Sequence, residues 1–317
     1  MSLNFTITQM QRLTELDGDS SLFLESFETS VQRDNQFKSL EKVLARKNKE
    51  RLVALVEVTR EPLMFRIEKA IVRCLIEIEE FTRVQTPTII SSKMLEKMTI
   101  TREHPLYQQV FWLEDKCLRP MLAPGLYVLM RDMHRVLKGP VRIFECGTCY
   151  RKETQGAKHM NEFTMLNLVE YASGAEDCQK DRQDCQDLQN LQDCQNLQNL
   201  QNLQLKRLKE LANMLMDSVG SLCDDLGCEL DYKLEITKSE VYGETLDIVA
   251  RDVMGNDVEI GSGSYGPHPL DENWGVYENW VGIGIGIERL AMIIGRHNNI
   301  KRTGRSITYV DGARLNI

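Results

Sequence analysis

The chain has 317 residues, of which 42% are hydrophobic and 27% are charged, and its formal net charge is −8. This balance is ordinary for a globular protein, and the length suits one large domain or one large domain with a small one. The acidic charge excludes binding of nucleic acid through the overall field of the protein, so any such contact needs a local basic patch.

The sequence also bears on where the protein acts. Residues 1–10 lack the basic segment and the apolar core of a signal peptide, and no apolar run reaches the length of a membrane span. Nine cysteines, an odd number, are most simply read as reduced thiols in a chain without a secretory signal. We therefore predict a cytoplasmic protein.

Residues 1–60 predict a small helical region in which turn-forming residues at 17–20 separate two helical patterns. Across residues 31–60, eight Lys or Arg and four Asp or Glu leave a local charge of +4. Two interpretations stay open: a solvated helix face, or a surface that contacts the phosphates of a nucleic acid.

The next segment carries a clear amphipathic pattern. Between residues 63 and 78, apolar side chains recur at helical spacing, and Pro62 fits the first turn of such a helix. Residues 81–86 then predict a strand that ends at Pro87.

Two strands joined by a loop are predicted in the middle of the chain. On the first strand Arg151 and Glu153 would share one face, and on the second Phe163, Asn167 and Val169 would share another. An arginine forks onto a phosphate, a carboxylate accepts from the amino group of adenine, and an aromatic ring stacks on the base. The hairpin is therefore suited to bind a nucleotide.

From residue 181 to residue 204 the chain consists of eight triplets that end in Gln. On a helix a three-residue repeat drifts by about 60° per step, because each residue turns by about 100°. Its leucines therefore do not keep to one face, unlike those of a heptad repeat. We interpret residues 178–204 as a low-complexity surface insert, helical or disordered and without a catalytic role, with a coiled-coil partner surface as the alternative. A better-formed helix follows and ends near Gly227.

The C-terminal part reads as antiparallel strands up to residue 287, followed by a final helix from Glu288. Because helices and strands do not alternate regularly, we predict an α+β fold with an antiparallel β-sheet flanked by helices and a small N-terminal helical region. The main domain would span residues 61–317.

Glycine occupies every second position of one predicted strand, at Gly282, Gly284 and Gly286, and Arg289 follows at the start of a helix. Glycine weakens a strand, so three in alternation indicate the close approach of a ligand. A tightly packed junction of strand and helix is the alternative.

Two other motifs are read as structural. Residues 261–266 match GxGxxG, but Pro267 follows and argues against the helix that a dinucleotide site needs. Cys146 and Cys149 form a CxxC pattern without a second pair at the spacing of a zinc site, so we predict packed strand thiols.

Three of these pieces resemble the signature motifs of the class II aminoacyl-tRNA synthetases. Residues 66–87 resemble the first motif, residues 150–163 the second and residues 282–290 the third. Within that class the resemblance is closest to the catalytic domain of the pyrrolysyl-tRNA synthetase family, in the bacterial form where this domain is a separate chain. The segments that carry this closer resemblance are 98–100, 118–124, 149–153, 162–167 and 241–247. It covers nearly the whole chain except the insert.

The resemblance implies a class II synthetase core that uses ATP and Mg²⁺ to activate pyrrolysine and then loads it onto its cognate amber-decoding tRNA. Arg151 and Arg289 would be the catalytic residues. The implied ATP contacts are Arg151 on the α-phosphate, Glu153 on the adenine amino group, His159 on the outer phosphates, Phe163 and Arg289 on both faces of adenine, and Arg289 also on the γ-phosphate. Glu259 and Ser262 would hold magnesium.

The resemblance also implies an amino-acid pocket. Its residues would be Leu122, Ala123, Leu126, Tyr127, Met130, Asn167, Val169, Tyr242, Ser264 and Trp280. Asn167 would hydrogen-bond the amide of the long substrate side chain, and Tyr242 would close over it. The chain departs from the family pattern at Ile283, Ile285, Ser264 and Tyr265, which we interpret as bearing on the size of the pocket.

The resemblance implies a homodimer that forms through residues 66–87. Further tRNA contacts would come either from a separate N-terminal tRNA-binding protein or from the basic region. One alternative is a class II synthetase for another amino acid such as phenylalanine, against which Asn167 speaks, because a buried amide beside an apolar ring lacks a partner. Another is a non-catalytic, synthetase-like RNA-binding protein, against which Arg151, Glu153, Glu259 and Arg289 speak.

Overall fold

The computed structural model describes residues 3–153, 156, 158–172, 189–239 and 243–316, with only the backbone of residues 189–198. The described α-helices are α1 (Ile7–Glu15), α2 (Ser30–Ala54), α3 (Leu63–Glu77), α4 (Ser92–Lys97), α5 (Pro105–Gln109), α6 (Ala123–Leu137), α7 (Gln189–Asp217), α8 (Gly220–Leu226), α9 (Pro269–Glu272) and α10 (Ile287–Ile294). Short 3₁₀ turns cover Ser20–Leu24 and Ile300–Arg302, and a π-helical turn covers Leu55–Thr59. Among the described residues, no helix combines the length and hydropathy needed to span a bilayer.

The described strands are β1 (Thr82–Arg83), β2 (Ile89–Ser91), β3 (Trp112–Leu113), β4 (Lys116–Leu118), β5 (Val141–Tyr150), β6 (Glu162–Tyr171), β7 (Tyr232–Ser239), β8 (Gly243–Arg251), β9 (Asp257–Gly266), β10 (Trp280–Gly286), β11 (Tyr309–Val310) and β12 (Ala313–Arg314). Seven of them form the main sheet in the order β1-β5-β6-β10-β9-β8-β7. Neighbours in this sheet pair antiparallel except β1 and β5, which are parallel. The prediction of an α+β fold with an antiparallel sheet is confirmed.

The register of the central strands positions the site. Gly284 of β10 lies between Asn167 of β6 and Ser262 of β9. Paired residues of neighbouring strands point to the same face of a sheet, so these three positions share one face. The strands that carry them are separated in sequence, and only the sheet brings them side by side.

Each face of the sheet is packed against helices. On one face Ile283 and Ile285 are buried together with Leu208 and Leu211 of α7 and with residues of α3 and α10. On the other face, residues of β5, β6 and β10 pack against α6. The alternation predicted for β10 follows from this arrangement, because the isoleucines enter one core while the glycines face the opposite side. Ile285 is therefore part of the core behind the sheet.

The predicted strand at residues 81–86 is wrong in its length, since β1 comprises only two residues. Beyond it, Thr86 donates its backbone N–H to Glu145 at 3.2 Å and its hydroxyl to the same carboxylate at 2.6 Å. Arg119 donates to the carbonyl oxygen of Thr86 at 3.0 Å and to Glu145 at 2.6 Å. The backbone groups of Thr86 are thus satisfied by a buried ion pair and do not join a strand ladder.

Two helix ends also differ from the prediction. The single helix predicted up to Gly227 is two helices, α7 and α8, and Gly227 ends the second one with φ +62°. This left-handed conformation suits glycine at a helix C-terminus. Pro62 directly precedes the first residue of α3, one position before the predicted first turn.

The thiols of the CxxC pattern lie within β5, where burial raises the pKa of Cys149 to about 12 and also raises that of Cys146. Both are free cysteines, so the prediction of packed strand thiols is confirmed. The glycine pattern of residues 261–266 lies within β9, and the next helix begins only at Pro269.

The N-terminal helices have a small core of their own, in which Phe5, Leu13, Leu16 and Leu44 are buried. Both α1 and α2 begin with capping boxes that satisfy their first backbone N–H groups. Asp17, after α1, accepts from Arg51 of α2 at 2.6 Å and lies 3.6 Å from the buried Arg302. This charge cluster attaches the helical region to the C-terminal part of the chain.

Candidate active site

A cavity of about 350 Å³ lies over the centre of the sheet, between α6 and the loop that joins β5 to β6. It is lined by all but two of the residues predicted for ATP, metal and amino-acid binding. These are Ala123, Leu126, Tyr127, Met130, Arg151, Glu153, His159, Phe163, Asn167, Val169, Glu259, Ser262, Ser264, Trp280 and Arg289. Leu122 is buried directly before α6 and does not line the cavity, and Tyr242 lies outside the described residues.

One end of the cavity is charged. Arg151 lies one residue beyond β5, where its Nε donates to the carbonyl oxygen of Pro120 at 2.9 Å and its guanidinium lies 5.3 Å from the ring centre of Phe163. Burial lowers the pKa of Arg151, but an arginine remains charged at neutral pH. A fixed, desolvated guanidinium is a strong site for a phosphate.

The premise that Arg151 and Glu153 share a strand face is wrong, because β5 ends at Tyr150. The backbone N–H of Arg151 donates to the carbonyl oxygen of Asn161 at 3.0 Å, and that of Glu153 donates to the Asn161 side chain at 3.1 Å. Asn161 thereby holds both ends of this three-residue segment. The loop keeps both charged side chains at the cavity without strand pairing.

Arg289 enters the charged end from the first turn of α10, and its Nη1 donates to the carbonyl oxygen of Glu259 at 3.0 Å. The preceding residue, Glu288, is buried and accepts from the backbone N–H of Thr164 with both carboxylate oxygens at 2.8 Å. Arg305 donates to the same carboxylate at 3.0 Å. Glu288 therefore fixes the start of α10 against β6 and so positions Arg289.

Glu259 and Ser262 lie beside an acidic residue that the sequence prediction did not identify. Ser262 donates its hydroxyl to Asp247 of β8 at 2.6 Å, and Thr237 donates to the other oxygen at 2.7 Å. Burial and the charge of Asp247 raise the pKa of Glu259, while Arg289 and Arg151 oppose this shift. The sequence did contain a signal for Asp247, because an acidic residue stands within a strand pattern at the end of the segment 241–247.

The side-chain oxygens of Glu259, Ser262 and Asp247 fit a divalent cation that binds together with phosphates. Within the described ranges, no group of three or more His, Cys, Asp or Glu side chains could hold a metal ion. Mg²⁺ commonly takes one or two carboxylates and completes its shell with phosphate oxygens and water. Burial is the main cause of the raised pKa of Glu259, and the charge of Asp247 adds to it; a cation would neutralise that second contribution.

The other end of the cavity is apolar. Leu126, Tyr127 and Met130 of α6 face Val169 of β6 and Trp280 of β10. The rings of Tyr127 and Trp280 meet edge to face with their centres 6.1 Å apart. This geometry is favourable for an aromatic pair and leaves a well-defined slot for an apolar group.

Asn167 is the polar group of this end. Its side-chain oxygen is buried and has no hydrogen-bond partner in the described part of the protein. A buried acceptor without a partner is costly, so a ligand N–H is the natural partner for it. A Cβ at Gly284 would lie 3.0 Å from the Asn167 amide nitrogen, so the glycine makes room for this side chain.

Gly286 has a different reason to be glycine. A Cβ at this position would approach no atom closer than 3.9 Å, where it meets the side chain of Arg289. Packing within the protein does not require the glycine, which favours the interpretation that a ligand approaches the strand here. The alternative of a tightly packed junction holds for Gly284 and not for Gly286.

Comparisons with known proteins identify the family of the chain. Residues 54–176 match the family model described as "tRNA synthetases class II core domain (F)". The chain is similar to the structure titled "Crystal structure of Pyrrolysyl-tRNA synthetase from Desulfitobacterium hafniense", with 39% identity, a TM-score of 0.81 and full coverage of both chains. A second structure, titled "Structure of Desulfitobacterium hafniense PylSc, a pyrrolysyl tRNA synthetase", matches with 38% identity, a TM-score of 0.79, and coverage of 100% of this chain and 96% of that one.

Proposed function

The chain belongs to the class II aminoacyl-tRNA synthetases and, within them, to the pyrrolysyl-tRNA synthetases, and on this premise we propose that it is a pyrrolysine–tRNA ligase. It would activate pyrrolysine with ATP in the cytoplasm and transfer it to the cognate amber-decoding tRNA. The single observation that carries the proposal is the cavity itself, in which a charged end and an apolar end share one glycine-lined floor.

The charged end supports binding of ATP. In the first step, a carboxylate oxygen of the amino acid attacks the α-phosphorus, and the bond to pyrophosphate breaks. Arg151 and Arg289 neutralise the charge that develops on the phosphate oxygens, and no protein nucleophile is needed. Phe163 offers a ring for the adenine base, Glu153 an acceptor for its amino group, and His159 a donor for the outer phosphates.

Glu259 and Ser262 would hold Mg²⁺ together with the phosphates of ATP, and Asp247 would orient Ser262 by accepting its hydroxyl. When bound, the ion neutralises phosphate charge and supports the departure of pyrophosphate. The carboxylate of Glu259 must be ionised to serve as a ligand. The two arginines beside it favour that form.

The apolar end supports a long, mostly apolar amino-acid side chain that carries one amide. Leu126, Met130 and Trp280 would contact its hydrocarbon part, and Asn167 would pair with its amide. A phenylalanine side chain would leave the Asn167 oxygen without a partner, which a site of this kind penalises strongly. The amide therefore favours pyrrolysine over an aromatic substrate.

In the second step, a hydroxyl of the terminal ribose of the tRNA attacks the acyl carbon of the adenylate, and AMP leaves. The basic face of α2 supports contact with tRNA phosphates, because Lys38, Lys42, Arg46 and Lys49 are exposed there. A separate N-terminal tRNA-binding protein is the second source of such contacts.

A homodimer would form through residues 66–87. Ile76 and Ile78, at the C-terminal end of α3, are exposed apolar side chains that such a contact would cover. Phe65, at the opposite end of the same helix, is also exposed.

The test is ATP–pyrophosphate exchange with pyrrolysine and with each of the twenty standard amino acids. We expect exchange with pyrrolysine alone, and its loss in an Arg289→Ala variant whose melting temperature matches the wild-type protein. Exchange with another amino acid instead would be consistent with a synthetase but would refute pyrrolysine as its substrate. Absence of exchange with any amino acid would favour a non-catalytic RNA-binding protein.

A further inference from the structure

Trp280 forms one wall of the apolar end and is almost completely buried. Two buried polar side chains hold it from outside the cavity: Asp271 of α9 and Gln204 of α7. Neither of them lines the cavity. We refer to Asp271 and Gln204 together as the Trp280 support.

Asp271 connects two walls of the cavity through one carboxylate. Its Oδ2 accepts from the indole Nε1 of Trp280 at 2.7 Å and from the backbone N–H of His268 at 2.9 Å. Its Oδ1 accepts from the hydroxyl of Tyr127 at 2.8 Å. Asp271 is only 1% exposed, so bulk water does not replace these bonds when one is lost. The relative position of the two rings therefore depends on this carboxylate.

Gln204 holds the backbone of the same wall. Its side-chain nitrogen donates to the carbonyl oxygen of Gly266 and, at 3.3 Å, to that of Trp280. Gly266 of β9 pairs with Trp280 of β10. The Gln204 side-chain amide therefore bonds to both strands at the residue that carries the indole ring. Gln204 is buried because it lies on the face of α7 that carries Leu208 and Leu211 into the core.

This contact corrects the prediction for the insert. Gln204 is the last residue of the triplet repeat, which we predicted to lie on the surface without a role in the site. Gln201, the same position one triplet earlier, is exposed on the same helix. The repeat therefore ends inside the protein, against the cavity wall.

We propose that Gln204 and Asp271 are positioning residues that set amino-acid selectivity by fixing Trp280, and Tyr127 with it, at the width that the substrate side chain requires. The inference rests on the proposed function, which assigns the apolar end to the amino acid. The charged end receives no contact from either residue and is expected to keep its affinity for ATP.

Four variants change the hydrogen-bonding groups of Gln204 and Asp271 or serve as controls for them. Gln204→Glu replaces the donating amide by a carboxylate that faces two carbonyl oxygens, and Gln201→Glu adds the same charge at an exposed position of the same helix. Asp271→Ala removes all three acceptor contacts. Asp271→Asn is the rescue, because its oxygen still accepts from Trp280 and His268 while its NH₂ group donates to the Tyr127 oxygen.

In the exchange assay we expect Gln204→Glu and Asp271→Ala to raise the KM for pyrrolysine by about tenfold or more while the KM for ATP changes by less than about twofold. Gln201→Glu and Asp271→Asn should remain within about threefold of wild type for both substrates. Equal rises in both KM values, or an unchanged KM for pyrrolysine, would overturn the proposal.

A second readout does not require activity. The protein has three tryptophans, so ¹⁵N labelling gives three indole N–H signals that Trp→Phe variants assign. We expect the Trp280 signal to shift in Gln204→Glu and in Asp271→Ala, while the Trp112 signal stays in place. An unchanged Trp280 signal in both variants would contradict the proposal that Gln204 and Asp271 position Trp280. A shifted signal in a protein that does not activate pyrrolysine would keep the support and reject the proposed function.

Discussion

The two ends of the cavity are built differently. At the charged end, Arg151, Glu153 and Phe163 belong to one short segment, and Arg289 follows one glycine-rich strand directly. At the apolar end, the shape depends on contacts between distant parts of the chain, such as Tyr127 with Asp271, which are 144 residues apart. On the proposed function, local motifs would specify the nucleotide chemistry, while tertiary packing would specify which amino acid fits.

This difference has a functional reason. Every adenylate-forming step places the same phosphates, so its charged groups act as a fixed set on rigid elements. Selectivity between amino acids would depend instead on the width of the apolar end and on one or two polar groups, which small shifts of Trp280 or Asn167 would alter. The two ends should therefore respond separately to substitution.

The largest effect is expected from Arg151→Ala at the charged end. Removing a fixed guanidinium from the α-phosphate should lower kcat/KM for exchange by about 10³-fold, whichever amino acid is supplied. Exchange kinetics with pyrrolysine and with an N-acyl lysine analogue would measure this. A loss confined to one of the two substrates would break the proposed separation of the ends.

A smaller effect is expected at the floor between the ends. Gly286→Ala adds a methyl group where the nearest atom is 3.9 Å away, so the melting temperature should hold while the KM for ATP rises by about tenfold. Gly261→Ala is the matched control, because its Cβ would lie 2.7 Å from the carbonyl oxygen of Gly284. That variant should lose stability. A Gly286→Ala enzyme with normal ATP affinity would contradict a ligand at this position.

The smallest effect on activity is expected from Asp17→Asn, far from both ends. Burial by itself would raise the pKa of Asp17, but His297, Arg302 and Arg51 hold it well below its usual range. The substitution should lower the free energy of unfolding by about 3 kcal/mol at pH 7, since it leaves Arg302 buried without its countercharge. Both KM values should stay within about twofold of wild type, as for other distant sites.

The pH dependence of this variant has a defined sign. A carboxyl whose pKa is lower in the folded state stabilises the protein above the unfolded pKa, near 3.9, and loses this contribution as the pH falls. The difference in unfolding free energy between wild type and Asp17→Asn should therefore shrink below pH about 4. Denaturant titrations at pH 7 and pH 3.5 would measure it, and a difference that grows towards low pH would refute the assignment.

Much of the fold was accessible from the sequence because its signals are local. The amphipathic pattern at 63–78 became α3, the alternation at Gly282, Gly284 and Gly286 became one face of β10, and the paired strands around the loop became β5 and β6. Each of these elements could be predicted because the periodicity of a single segment is visible in the sequence itself.

The remainder depends on contacts that no single segment contains. Residues 84–86 have an extended pattern, yet Thr86 bonds to Glu145, which is 59 positions away. Asp247 and Asp271 are single acids whose role appears only when Ser262 and Trp280 are placed beside them. Gln204 was hidden by its repetitive neighbours, because identical triplets give no sign of which one meets the core.

The position of Gln204 also limits how this chain can lengthen. A triplet added before Gln201 leaves the phase of α7 unchanged from Gln204 onward, so Leu208 and Leu211 still meet the sheet. A triplet of different sequence, inserted between Gln204 and Leu205, would separate the amide from the leucines by about 60° of rotation and about 4.5 Å of rise. Because residues 196–204 are three identical Asn-Leu-Gln triplets, a further copy at any place among them keeps a glutamine four residues before the leucine that meets the sheet, and the packing is preserved. The earlier triplets are accordingly a place to graft an affinity tag or a fluorophore.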